Sequence, residues 1–238
     1  MIKEALIENL GQENYDLFKS HGLSDKEIKY NIQKMSGGFQ SVLMPREVDW
    51  MRAFQMPDDL LERTKQSIND QIVKYDIKDQ KEHTSSMGGN LIAQYGLGGH
   101  FDMEIFDWVK HQCLQVIIEE NLVGEPVELK LLDVWTVIGK EGSYHLPHSH
   151  GRDWPIDMFS ATVYLTHRGD EPVPSENGDF EGIFYWISKD GDPSVNYVLP
   201  EPGKVLIYPN WIVHGTTPQG PGTRQTLNFS IGMFPKKL

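Results

Sequence analysis

Three histidines and one arginine in this chain have the types and spacing for metal chemistry. His148 and His150 stand two apart in Gly142-Ser-Tyr-His-Leu-Pro-His148-Ser-His150. Successive side chains of an extended chain point to opposite faces, so both imidazoles share one face and can grip one ion. A third imidazole, His214, follows a strand-like run in Gly203-Lys-Val-Leu-Ile-Tyr-Pro-Asn-Trp-Ile-Val-His214. Arg224, ten residues further on, opens Arg-Gln-Thr-Leu-Asn-Phe-Ser-Ile. Its planar guanidinium matches a carboxylate in a bidentate pair, and Thr226 on the same face adds a hydroxyl donor. The pair suits the distal carboxylate of a small diacid. Imidazole accepts iron, zinc, copper or nickel, so ligand type leaves the metal open.

Each residue also has an ordinary reading. A single histidine is most often a surface or hydrogen-bonded residue, and His21, His83, His100, His111 and His167 are read so. His145 has the wrong parity for the pair and is read as a supporting or surface residue. Tyr144, Trp154 and Trp211 are candidates for the mouth of a substrate pocket. Their ordinary reading, shared with Trp135, Tyr164 and Trp186, is packing. The chain has no phosphate-cradling glycine loop, no Gly-x-Ser-x-Gly elbow and no Cys-His nucleophile arrangement.

Positioning these groups falls to the second half of the chain. Period-two patterning predicts strands at about 127–138, 143–150, 158–166, 182–188, 195–199, 203–208, 211–217 and 224–233. Turn residues punctuate them, among them Gly139, Gly142, Gly169-Asp170 and Asp190-Gly191-Asp192. So many short strands imply a barrel or sandwich. The first half reads as mostly helical. Ser24-Asp25-Lys26-Glu27 is a capping box. Asp49 to Met56 is ambiguous. Pro57, Asp58 and Asp59 open a helix with a Leu60, Leu61, Ile68, Ile72 stripe. Asn90 to Tyr95 is strand or turn, and a helix from Asp102 to Asn121 carries Ile105, Val109, Cys113, Val116 and Ile117 on one face, with Gly124 as its stop. The expected organisation is a helical buttress at 1–126 packed on a barrel at 127–238, the two forming one structural unit because no flexible linker separates them.

The 238 residues carry a net charge of -12, which argues against nucleic acid and against anionic membranes as partners. One cysteine, Cys113, excludes an internal disulfide and a cysteine-rich zinc site. The N-terminal stretch does not read as a signal peptide, and no apolar run approaches the roughly 18 residues of a membrane span. A cytoplasmic setting is the expectation. The partners expected are dioxygen and a small-molecule or peptide substrate, with a homodimer left open.

Leu132-Asp-Val-Trp135, the His148-Ser-His150 stretch, Phe159-Ser-Ala-Thr-Val-Tyr164-Leu, Pro209-Asn-Trp211-Ile-Val-His214 and Arg224 together resemble the 2-oxoglutarate/Fe(II) oxygenases of the prolyl-hydroxylase-like superfamily. The resemblance spans roughly residues 128–234. It implies a double-stranded β-helix, a jelly-roll or cupin-like barrel, with Fe(II) and with 2-oxoglutarate as cosubstrate. It implies hydroxylation with release of succinate and carbon dioxide, His148 and His214 as metal ligands, and Arg224 as the 2-oxoglutarate residue. The chain departs from the superfamily at His150, where an aspartate or glutamate is usual. Asp153 and Asp157 stand close enough in sequence to compete for that place. The spacing also resembles the cupin motifs, so a three-histidine cupin-type dioxygenase without 2-oxoglutarate is the first alternative. A non-catalytic small-molecule-binding barrel is the second.

Overall fold

A computed structural model describes residues 12, 15, 16, 19, 25, 50–84, 88–120, 122, 127–150, 157–167, 181–188 and 194–235. Its strands are β1 (Arg52–Gln55), β2 (Gly88–Gly96), β3 (Val127–His148), β4 (Asp157–Thr166), β5 (Phe184–Ser188), β6 (Ser194–Val198), β7 (Lys204–Pro209), β8 (Val213–Thr216) and β9 (Arg224–Pro235). Helix α1 (Asp58–Lys74) lies between β1 and β2, and helix α2 (Met103–Glu119) between β2 and β3. The sheet runs β1-β7-β4-β9-β3-β8-β5-β6, with β2 also on β3. The order folds into two halves, β1-β7-β4-β9 with the start of β3, and the end of β3 with β8-β5-β6. This is a double-stranded β-helix, as expected.

β3 makes the connection. Its first part pairs with β9, from Val127 opposite Pro235 to Gly139 opposite Arg224. Its last part pairs with β8, placing His148 opposite His214. The strands expected at 127–138 and 143–150 are therefore one strand with a bend. β2 holds both sides of the bend by pairing with Gly139 and with Tyr144 and His145. Gly142 keeps the left-handed backbone expected of a turn residue, at φ 73°, and its amide donates to the Gln219 carbonyl.

The first half is not purely helical. β1, from the segment read as ambiguous, pairs with β7, and β2 pairs with β3. The barrel thus draws strands from both sides of the boundary expected at residue 126. A free sheet edge supplies the partner that these short segments need, which local sequence cannot reveal. The helix expected at the capping box lies outside the described residues apart from Asp25, as do Gly124, Gly169-Asp170 and Asp190-Gly191-Asp192. α2 ends at Glu119, two residues short of the expected end.

Helices and cavity take opposite faces of the same strands. On β4, Phe159, Ala161, Val163 and Leu165 are buried in the apolar core, and on β9 so are Leu227, Phe229, Ile231 and Met233. Phe101 of the turn before α2 meets the Phe229 ring edge-on at 5.4 Å, and Trp50 packs on Phe159 at 5.5 Å. α2 buries all five apolar residues expected of it and Phe106 besides, and its N-cap Asp102 accepts from the Glu104 amide. Each fully buried large side chain contributes roughly 1.5–3 kcal/mol. The alternate residues, Thr162 and Tyr164 on β4 and Arg224, Thr226, Asn228 and Ser230 on β9, line a cavity of about 450 Å³.

Candidate metal centre

Ring nitrogens of His148, His150 and His214 come within 4.8 Å of one another at this cavity. Ring centroids are 4.5 Å apart for His148 and His214, 4.9 Å for His150 and His214, and 5.4 Å for His148 and His150. His148 and His214 face each other across the β3–β8 ladder. His150 lies just past the end of β3, and its amide donates to the Asn210 carbonyl, which keeps the chain beside β8. Cross-strand pairing therefore places two ligands, and a hydrogen bond to the turn after β7 places the third, where the reading of the sequence relies on strand parity.

The tautomers follow from the partners. His148 Nδ1 donates to the Leu146 carbonyl at 2.8 Å, and His214 Nδ1 to the Ile212 carbonyl at 2.9 Å. A carbonyl can only accept, so each Nδ1 carries the proton and each Nε2 presents a lone pair. Both rings are held by the carbonyl two residues back, the kind of outer partner that orients a metal-binding imidazole. Ser160 Oγ meets His150 Nδ1 at 2.9 Å, which leaves the Nε2 of that ring for an ion too. Phe184 stacks on His214 at 5.1 Å.

Burial favours the neutral form of three rings here, His145, His150 and His214. It drives His150 down to about 3, with His148 and His145 adding to the effect, and it lowers His145 to about 4, with help from Arg224 and His148. His214 is held well below the ordinary range for the same first reason. Below about pH 6.5 the unfolded chain takes up protons on these rings that the folded chain refuses. Stability of the metal-free protein is therefore expected to fall as pH falls from about 6.5, by up to ~1.4 kcal/mol per pH unit for each ring. Thermal melts across about pH 7 to 4.5 check this, and His150→Gln should flatten the slope. A melting midpoint independent of pH would contradict neutral, buried rings.

Arg224 lines the cavity and is 4% exposed. Its guanidinium donates to the Gly182 carbonyl at 3.0 Å and reaches Thr216 Oγ1 at 3.4 Å. No carboxylate among the described residues pairs with it. A β-carbon on Gly182, whose φ is 67°, would press on this guanidinium at 3.1 Å, so the site requires glycine there. Burial of an unpaired cation costs several kcal/mol. Tyr164 beside it is fully buried, and burial raises its phenol to about 12, so it is a neutral hydrogen-bonding group. Thr226 Oγ1 accepts from the Asn228 amide, which leaves its own proton to donate.

Other expected residues fall elsewhere. Trp211 is 4% exposed in the apolar core, not at the cavity mouth, because the turn after Pro209 carries it inward. Tyr144 is on the surface against Gly89 and does not line the cavity. Trp154 and Asp153 lie outside the described residues, as does the Asp157 side chain. His145 lines the cavity after all. A register irregularity between His145 and His148 breaks the parity that set it on the other face. Tyr208, Thr162 and Asn228, which the reading of the sequence passed over, line the cavity as well. Their signal is a polar residue at every second place of an apolar strand.

The fold is the double-stranded β-helix also seen in 2-oxoglutarate oxygenases, and the histidine cluster lies at its cavity. Residues 133–230 match the family profile described as "Putative 2OG-Fe(II) oxygenase", which carries the resemblance seen in the motifs. That family depends on Fe(II) and 2-oxoglutarate, and the three histidines here could bind a metal. No curated protein matches the sequence. Among solved structures, a prolyl-4-hydroxylase of Pseudomonas putida is 16% identical with a TM-score of 0.54, covering 80% of this chain and 95% of its own. HygX of Streptomyces hygroscopicus, solved with nickel, 2-oxoglutarate and hygromycin B, is 14% identical with a TM-score of 0.52, covering 88% and 87%. A Trichoplax adhaerens prolyl hydroxylase, solved with a hypoxia inducible factor peptide fragment, is 12% identical with a TM-score of 0.51, covering 95% and 96%. At these identities the likeness is one of fold. No helix among the described residues is long and apolar enough to cross a membrane.

Proposed function

We propose that this chain is a 2-oxoglutarate- and Fe(II)-dependent hydroxylase of a small-molecule or peptide substrate. The observation that carries the reading is a buried guanidinium, unpaired by any described carboxylate, in the same cavity as three inward imidazoles. Such a cation calls for an anion from outside, and one end of a dicarboxylate meets that need. His148, His150 and His214 would hold the iron through Nε2. Arg224, with hydroxyls from Thr216 and Thr226, would hold the distal carboxylate. Iron with 2-oxoglutarate, when bound, supplies oxidation of a C–H bond by dioxygen, coupled to decarboxylation of 2-oxoglutarate to succinate. The chain's own part is orientation and exclusion of water. The carbonyls of Leu146 and Ile212 fix two rings, Phe184 backs His214, and the barrel walls keep the cosubstrate dry.

Reconstitution with Fe(II) without oxygen, addition of 2-oxoglutarate, then exposure to oxygen tests this. The expected result is a visible charge-transfer band before oxygen and succinate after it, even without substrate. Oxygen uptake with no 2-oxoglutarate requirement would favour the cupin-type dioxygenase. Iron and 2-oxoglutarate binding with no turnover under any condition would favour a binding barrel.

A further inference from the structure

Where sites of this kind usually carry a carboxylate, the described residues bring His150, so the cluster of three histidines offers nitrogen alone. An oxygen stands beside them. Tyr208, 1% exposed on β7, places its hydroxyl 3.4 Å from His214 Nε2 and 3.2 Å from Thr162 Oγ1. Where its proton points can be settled by following the chain of partners. The Trp135 carbonyl, an acceptor only, faces the Asn228 amide nitrogen at 3.5 Å, and Thr226 Oγ1 faces the same nitrogen at 3.2 Å. Asn228 therefore turns its oxygen to Thr162, whose single proton is spent on it at 3.2 Å. Thr162 must then accept, and Tyr208 donates to it.

That leaves the Tyr208 oxygen facing His214 Nε2 with no proton between them, because the His214 proton sits on Nδ1 against the Ile212 carbonyl. Two lone pairs in one small, buried space are satisfied by a cation. We propose that Tyr208 Oη is a fourth donor atom of the metal site in the cosubstrate-free protein. The inference rests on the histidine centre argued above. As an uncharged phenol, Tyr208 is the weakest of the four donors and the first to yield to a stronger ligand. Thr162 and Asn228 are positioning residues. They hold the phenol proton away from the ion.

The test is Co(II) binding to the metal-free full chain, measured by chelator competition and visible absorption. Tyr208→Phe should weaken Co(II) by about 10-fold and alter the spectrum, with an unchanged fold by circular dichroism. Thr162→Val should weaken Co(II) although it removes no ligand, because the freed phenol proton then turns to His214 Nε2. Thr162→Ser, which keeps a hydroxyl, should restore wild-type binding. The Tyr208→Phe, Thr162→Val double variant should be no worse than Tyr208→Phe alone, since no proton is left to misplace. Unchanged affinity and spectrum in Tyr208→Phe overturns the proposal, and so do losses that add in the double variant. A wild-type protein that binds no Co(II) overturns the histidine centre and the Tyr208 ligand together. Wild-type binding with an indifferent Tyr208→Phe overturns only the latter.

Discussion

Arg224→Ala is expected to weaken 2-oxoglutarate by about 2–5 kcal/mol, on the order of 30-fold to a few thousand-fold, with metal stoichiometry unchanged. The guanidinium is buried in the cavity wall and is not a member of the histidine cluster, so the two losses should part. Much of the penalty is the ligand carboxylate left desolvated without a partner. A second effect runs the other way. Without 2-oxoglutarate the same cation is desolvated and paired with no described carboxylate, so Arg224→Met should raise the melting temperature while removing stabilisation by added 2-oxoglutarate. Anaerobic calorimetry on the metal-loaded variant and thermal melts with and without 2-oxoglutarate check both. An unchanged affinity would remove the argument for this cosubstrate.

His214→Ala is expected to empty the metal site, lowering affinity by at least about 100-fold, beyond the loss that follows removal of an outer-shell partner. His214 sits opposite His148 and brings the one imidazole contributed by β8. The barrel should survive, because the ring lines the cavity beside Phe184 and Tyr208, so its loss enlarges an existing space. His145→Ala is the control. It lies in the same cavity but outside the cluster, so iron should stay. Elemental analysis of the purified variants decides, and wild-type iron in His214→Ala would sink the assignment of the centre.

Much of this architecture is legible in the sequence. The His-x-His spacing, the apolar run before His214 and the arginine opening the next strand are local patterns, although His150 is placed by its hydrogen bond to Asn210 and not by the strand alternation that pointed to it. The residues misjudged share a cause. His145 was set aside by parity, which a register irregularity cancels. Trp211 was sent to the mouth, although only the turn after Pro209 decides which way it points. β2 is too glycine-rich to declare itself and becomes a strand because β3 offers it an edge. The Tyr208 chain of hydroxyls was hidden because its members come from β4, β7 and β9. Each residue taken singly looks like an ordinary polar interruption.

The place of β9 between β3 and β4 bears on how the molecule comes into being. Glu128 pairs with Phe234 and Thr162 with Asn228, partners some hundred and some seventy residues apart along the chain. Few local contacts can reward the chain before those loops close, so acquisition of the native state should be slow, in the range of barrels dominated by distant pairings. During synthesis on a ribosome, β3 and β4 must wait with open edges until β9 emerges, and such edges invite pairing with other chains. Arg224 opens the strand that ends this wait. The residue that favours an anion in the finished cavity therefore arrives only as the vulnerable phase of its biogenesis closes.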